Sequence, residues 1–330
     1  MNNPLNRLTA GLLLCLPAVG AWAQTPPRER TVAFTYQTVL RADPTEAGPT
    51  DLWIPVPHNS SFQQISDLRV ESPVAYRMES GAYGNQWLHL HLAQPLPDST
   101  VVTMRFTARR LEHRQTQLVS RSQAAPLLAE PDMARWLMPD RLVPIDGPVK
   151  RWAQAVVDSA QAKTDLARAR AIYNHVIRTV RYDKSGTGWG RGDIYYACDA
   201  RRGNCTDFHA VFIGYCRAVG IPARFAIGIS LPPDRPSGQI SGYHCWAECY
   251  LAGIGWVPVD ASEAAKNPAR RDYFFGAHDE HRIEFTIGRD LRLYPQQPEP
   301  LNFFVYPYAE RNGQPYPGVS SRFSYQNQPR

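Results

Sequence analysis

Three short stretches hold the residue types that thiol chemistry needs: Cys205 in "GNCTDFHAVFIGYCRAVGIPARF", His244 in "GYHCWAECYL" and Asp260 in "WVPVDAS". A cysteine that opens a helix faces unpaired backbone N–H groups and the positive end of the helix dipole, and both favour thiolate over thiol. The same N–H groups can stabilise an oxyanion once sulfur has attacked a carbonyl, so one position serves two steps of an acyl transfer. A base is still required. In the second stretch alternate residues share a strand face, which groups His244 with Trp246, Glu248 and Tyr250 and leaves Cys245, Ala247, Cys249 and Leu251 on the other side. A five-residue turn over 251–255 pairs Tyr250 with Trp256 and sets Asp260 opposite Trp246. Asp260 then lies one diagonal step from His244, about 7–8 Å at Cα. The expected set is Cys205 as nucleophile, His244 as base and later acid, and Asp260 as orienting carboxylate. A turn one residue longer or shorter would send Asp260 to the wrong face.

Several elements must hold these residues in place. Phe208, Val211, Phe212, Tyr215, Cys216 and Val219 recur at helical spacing, Gly220 offers a left-handed cap and Pro222 bars continuation, so a buried helix starts at about Cys205. Upstream, Pro148 suits the first position of a helix running to about Ala162. Thr164 and Asp165 cap another, whose Leu166, Ala169, Ile172, Tyr173, Val176, Ile177 and Val180 form an apolar stripe. His175 beside that stripe reads as structural. "ARFAIGISL", "GYHCWAECYL" and "WVPVDAS" read as three strands following the helix, which makes this part α+β. Trp189, in the glycine-rich loop "YDKSGTGWGRGD", and Trp246 are candidates for lining a substrate pocket, with core aromatics as the alternative. Asp207 reads as a first-turn carboxylate and His209 as a surface or core residue.

The three ordered motifs, over roughly residues 145–265, resemble the core of the transglutaminase-like superfamily, the papain-related group in which the cysteine opens a helix and the histidine and aspartate sit on successive strands. The tail "RRDYFFGAHDEHRIEFTIGRD" is similar to that of bacterial exported members. The resemblance implies a thiol acyl-transfer fold and the same roles for Cys205, His244 and Asp260. It leaves the reaction open among protein cross-linking, peptidase and glycan-amidase chemistry and inactive members. The calcium sites of animal cross-linking enzymes are not recognisable, so no cofactor is expected. Expected substrates are a protein, a peptide or a cell-wall amide, and the alternative is a catalytically silent binding or structural module.

The remaining sequence sets the frame. Arg7, the apolar run Leu8–Val19 and Ala21-Trp22-Ala23 form a secretory signal, with cleavage expected before Gln24. No segment has the roughly 18–20 consecutive apolar residues a membrane helix needs. The net charge of +6 is spread without basic runs, which argues against a nucleic-acid partner. The expected organisation is a signal at 1–23, an antiparallel β-sandwich over 24–113 built from short alternating runs, a connector over 114–146, the catalytic α+β domain over 147–265 and a β-rich tail over 266–330. Cys198, Cys205, Cys216, Cys245 and Cys249 remain after cleavage, an odd number that leaves at least one thiol unpaired or paired between chains. A Cys198–Cys205 bridge would lock the nucleophile. Neither His89 with His91 nor His244 with Cys245 and Cys249 has the further ligands of a zinc site, so no metal is expected.

Overall fold

The structure is a computed structural model and describes residues 26–42, 48–93, 98–115, 118, 133–294 and 297–329. The expected signal peptide, with Cys15, and much of the connector lie outside the described residues. The N-terminal strands are β1 (Glu29–Arg41), β2 (Thr50–Val56), β3 (Gln63–Glu71), β4 (Arg77–Ser80), β5 (Gln86–Leu92), β6 (Ser99–Leu111) and β7 (His113–Arg114). Strict alternation along β1 buries Val32, Phe34, Tyr36 and Leu40, so its period-2 pattern does form one inward face. His89 and His91 of β5 both bond Asp51 of β2, at 2.8 and 2.9 Å.

Next come α1 (Gly147–Ser159), α2 (Asp165–Thr179), β8 (Arg181–Tyr182), α3 (Ile194–Ala200), β9 (Arg202–Gly203) and α4 (Cys205–Ala218). They are followed by β10 (Ala223–Ser230), β11 (Ser237–Ile240), β12 (His244–Leu251), β13 (Gly255–Val259), α5 (Ala261–Lys266), β14 (Ala277–His278) and β15 (Arg282–Ile287). The caps explain the helix starts. Thr164 Oγ1 accepts from Ala167 N at 3.2 Å, and Asp193 Oδ1 accepts from Tyr195 N and Tyr196 N. Helix α3 lies outside the sequence expectation; its Asp193 cap sits at the end of the glycine-rich loop, whose glycines mask about two turns of helix. The last strands are β16 (Tyr308–Arg311), β17 (Gln314–Pro315) and β18 (Val319–Asn327).

Two five-stranded sheets form the β-rich part, in the orders β11-β18-β1-β6-β3 and β17-β16-β2-β5-β4. Three strands of the tail and one from the middle of the chain therefore complete sheets begun by the N-terminal segment; Val32 pairs with Asn327. The third sheet, β13-β12-β10-β15, carries α4 on one face. Gly228 sits where the β10–β15 register shifts, and a Cβ there would collide with the Ile283 carbonyl. Phe285 of β15 packs against Phe34, Tyr36 and Phe106 of the first sheet, so one continuous core joins the β-rich and α+β parts. Among the described residues, no helix is long and apolar enough to cross a membrane.

Candidate active site

Cys205 is the first residue of α4, and the start of that helix is tied down from several directions. Asn204 Oδ1 accepts from Thr206 N at 2.9 Å while Asp207 Oδ2 accepts from Asn204 N at 2.9 Å, a reciprocal capping box. Asp207 also accepts from Gly190 N at 2.7 Å and Gly192 N at 3.0 Å, which fastens the glycine-rich loop to the first turn. Gly192 has φ +62°, and a Cβ there would stand 2.8 Å from Thr206 Cγ2, so a glycine is required at this approach. Asp207 is thus a clamp as well as a dipole partner. Burial pushes its carboxyl up from the ordinary range, against the three N–H donors that favour the charged form. Tyr243 closes the far side: its hydroxyl accepts from Asn204 Nδ2 at 2.9 Å and lies 2.8 Å from Thr206 Oγ1.

The hairpin register brings the other two residues together. Tyr250 pairs with Trp256 and Leu251 with Gly255, and the ladder ends at Ala247–Val259, one step before Asp260. His244 Nε2 lies 2.7 Å from Asp260 Oδ2. Asp260 is fully buried and caps α5: its Oδ1 accepts from Ser262 Oγ and Glu263 N, each at 3.0 Å. Arg282 donates to Oδ2 at 3.2 Å. With Nε2 engaged by Asp260, Nδ1 is the ring nitrogen left for Cys205, whose thiol the same imidazole lowers.

Electrostatics at the three groups follow from these partners. Burial opposes charging the Cys205 thiol. Hydrogen bonds from Cys245 and His244, with the imidazole charge of His244, outweigh it and hold the thiol well below its ordinary range. Burial likewise disfavours the His244 cation, but Asp260 and Cys205 raise it to about 10. Burial would raise the Asp260 carboxyl, and the charges and hydrogen bonds of His244 and Arg282 bring it well below the ordinary range. The arrangement can hold a thiolate–imidazolium pair with a buried carboxylate behind it.

His209 and Arg282 belong to this constellation and were not singled out for it. His209 is buried, with Nε2 accepting from Ala261 N at 3.2 Å and standing 3.6 Å from Asp260 Oδ1. The signal was its i+4 spacing from Cys205, which places both on one helix face. For Arg282 no local signal existed, since its strand follows Asp260 by more than twenty residues. Trp246 is a core aromatic, fully buried against Arg282 and His278 on the sheet face away from α4. Trp189 is half-buried in the clamped loop, with Nε1 donating to Gly186 O at 3.1 Å. The five cysteines among the described residues are free, so Cys198 does not bridge Cys205; it lies 3.5 Å from the Tyr215 hydroxyl instead. Cys245 faces α4, with its sulfur 3.7 Å from both Thr206 Oγ1 and His209 Nδ1.

A thiol at a helix start, backed by a histidine and aspartate on an antiparallel sheet, defines a papain-related α+β architecture. The sequence profile of the transglutaminase-like superfamily matches residues 150–261. An uncharacterised protein of Haemophilus influenzae is 31% identical over 320 residues, covering 86% of each chain. Among solved structures, a candidate cysteine protease from Cytophaga hutchinsonii superposes with a TM-score of 0.60 at 17% identity over 92% of each chain, a likeness of fold. The chain belongs to the transglutaminase-like superfamily.

Proposed function

We propose that the chain is an exported cysteine-dependent enzyme that forms a thioester from a carboxamide or peptide and releases it to water or an amine. The observation that carries this reading is the buried His244–Asp260 bond of 2.7 Å, with Cys205 opening α4 near enough to the same imidazole for its charge to lower the thiol. The Cys205 thiolate attacks the carbonyl, and N–H groups of the first turn of α4 stabilise the oxyanion. Collapse of the tetrahedral adduct breaks the C–N bond, and the His244 imidazolium passes its proton to the leaving amine. His244, now neutral, takes a proton from the incoming water or amine as the thioester is cleaved, which regenerates the thiolate–imidazolium pair. Asp260 keeps Nε2 protonated and the ring aligned throughout.

The test is alkylation of native protein by iodoacetamide across pH, with each site assigned by mass spectrometry, in wild type and His244→Ala. Fast labelling of Cys205 below the ordinary thiol value of about 8.5, lost in the variant, is the expected result. A second reading, a silent binding module, is favoured by the 2% exposure of Cys205. Slow labelling of Cys205 in the wild type would select it. Export is tested separately: N-terminal sequencing of the protein from the producing cell's envelope or medium should begin at Gln24.

A further inference from the structure

On the face of β12 turned away from α4, Glu248 is buried beside two imidazoles, His113 of β7 and His278 of β14. His113 and His278 are direct cross-strand partners, and one ligand atom from each of the three residues lies within 4.8 Å of the others. His113 Nδ1 stands 3.2 Å from Glu248 Oε1. That distance serves a direct hydrogen bond, and it is also close to the roughly 3.3–3.4 Å between two donors each about 2.0–2.1 Å from a tetrahedral ion. His278 is completely buried, yet neither of its ring nitrogens has a hydrogen-bond partner among the described residues. An imidazole left in that state is costly, and a bound ion at this point would satisfy it.

The surroundings fix the other ligands. Arg224 Nε donates to Glu248 Oε2 at 2.5 Å, which orients the carboxylate and leaves Oε1 directed at His113. Phe62 stacks on the His113 ring at 3.6 Å between centroids. Arg110 and Arg282 add positive charge nearby, and Glu284 and Asp279 counter it. Two imidazoles and one carboxylate are an N/O set suited to zinc and its neighbours in the first transition row, whereas calcium and magnesium take oxygen ligands.

We propose that His113, Glu248 and His278 bind a divalent transition metal of the zinc type, with water as the remaining ligand. The ion would join three chain segments that are far apart in sequence: the strand leaving the β-rich part, the catalytic hairpin and the segment after α5. Its effect would reach the candidate active site through Trp246, whose ring centroid is 5.8 Å from that of His278 and 6.0 Å from that of His244.

The test uses the full exported chain carrying Cys205→Ser, so that the reactive thiolate does not compete for metal. The protein is stripped with a chelator, reloaded with Zn2+, desalted and analysed for bound zinc. The expected result is about one retained equivalent, reduced to none in His278→Gln and in His113→Gln. Absence of retained zinc in the parent overturns the proposal and leaves a buried water as the His278 partner. Retention undiminished in either folded variant overturns it too. Should the variants not fold, Co2+ bound to the parent decides: a spectrum of nitrogen and oxygen ligands supports the site, and a sulfur charge-transfer band, placing the ion on Cys245 or another thiol, overturns it.

Discussion

The two ends of α4 carry the same side chain to opposite states. Cys205 and Cys216 are eleven residues apart, three turns, so they lie on nearly the same helix face, and both are buried. Burial pushes both thiols up. At Cys216 a second buried thiol, Cys249, adds to that, and the group stays protonated. At Cys205 an imidazole on one side, Cys245 on another and the opening turn of the helix reverse the outcome. Burial alone therefore says nothing about which cysteine is reactive. The neighbours decide.

The sharpest way to break this contrast is to remove the carboxylate behind the imidazole. In Asp260→Asn both His244 and Arg282 lose a buried counter-charge, and breaking such a pair costs about 3–5 kcal/mol. Urea unfolding should report that loss, and iodoacetamide labelling of Cys205 at neutral pH should fall toward the Cys216 level. If reactivity survives intact, Asp260 has no orienting role.

The pH dependence comes next in size. At pH 7 an ordinary thiol is only a few per cent thiolate, so a Cys205 held well below its ordinary range should label more than about tenfold faster than an unperturbed cysteine. The signs are opposite for the two groups: the depressed thiol ionises as pH rises past its own low value, while the raised imidazole keeps its proton until about 10. Labelling should climb in two steps, one below about 8.5 as the ion pair forms and one near 10 as His244 discharges and the thiolate is freed. A single step at the ordinary thiol value would remove the distinction between the two ends of the helix.

Smaller effects test the scaffold. Asp207→Asn replaces a carboxylate that accepts three backbone N–H bonds, and a lost buried acceptor costs about 1–3 kcal/mol. Thermal unfolding should show the loss, with a modest slowing of Cys205 labelling as the glycine-rich loop loosens. Thr164→Ala removes the cap of α2 and should cost about 1 kcal/mol while leaving Cys205 labelling unchanged. A change in labelling there would show that reactivity tracks general stability and not the local neighbours.

What was legible before folding was whatever depended on nearby residues. The start of α4 followed from its apolar repeat, and the meeting of His244 with Asp260 followed from a hairpin whose turn length sets the register. The helix face of His209 was legible in the same way, four residues from Cys205, but its bond to Ala261 N joins segments 52 residues apart. Trp246 was ambiguous because strand alternation gives its side of the sheet and does not say what covers that side.

The sequence by itself determined the helix that Cys205 opens, the hairpin and the order of the motifs, because helix caps, apolar period and turn length are local physics. Only the tertiary structure decided the rest. It brought Arg282 onto Asp260, joined Asn327 to Val32 across nearly the whole chain, and set His113 beside Glu248 and His278. Such pairings are fixed by how the sheets stack and share one core, and no short window of residues contains both partners.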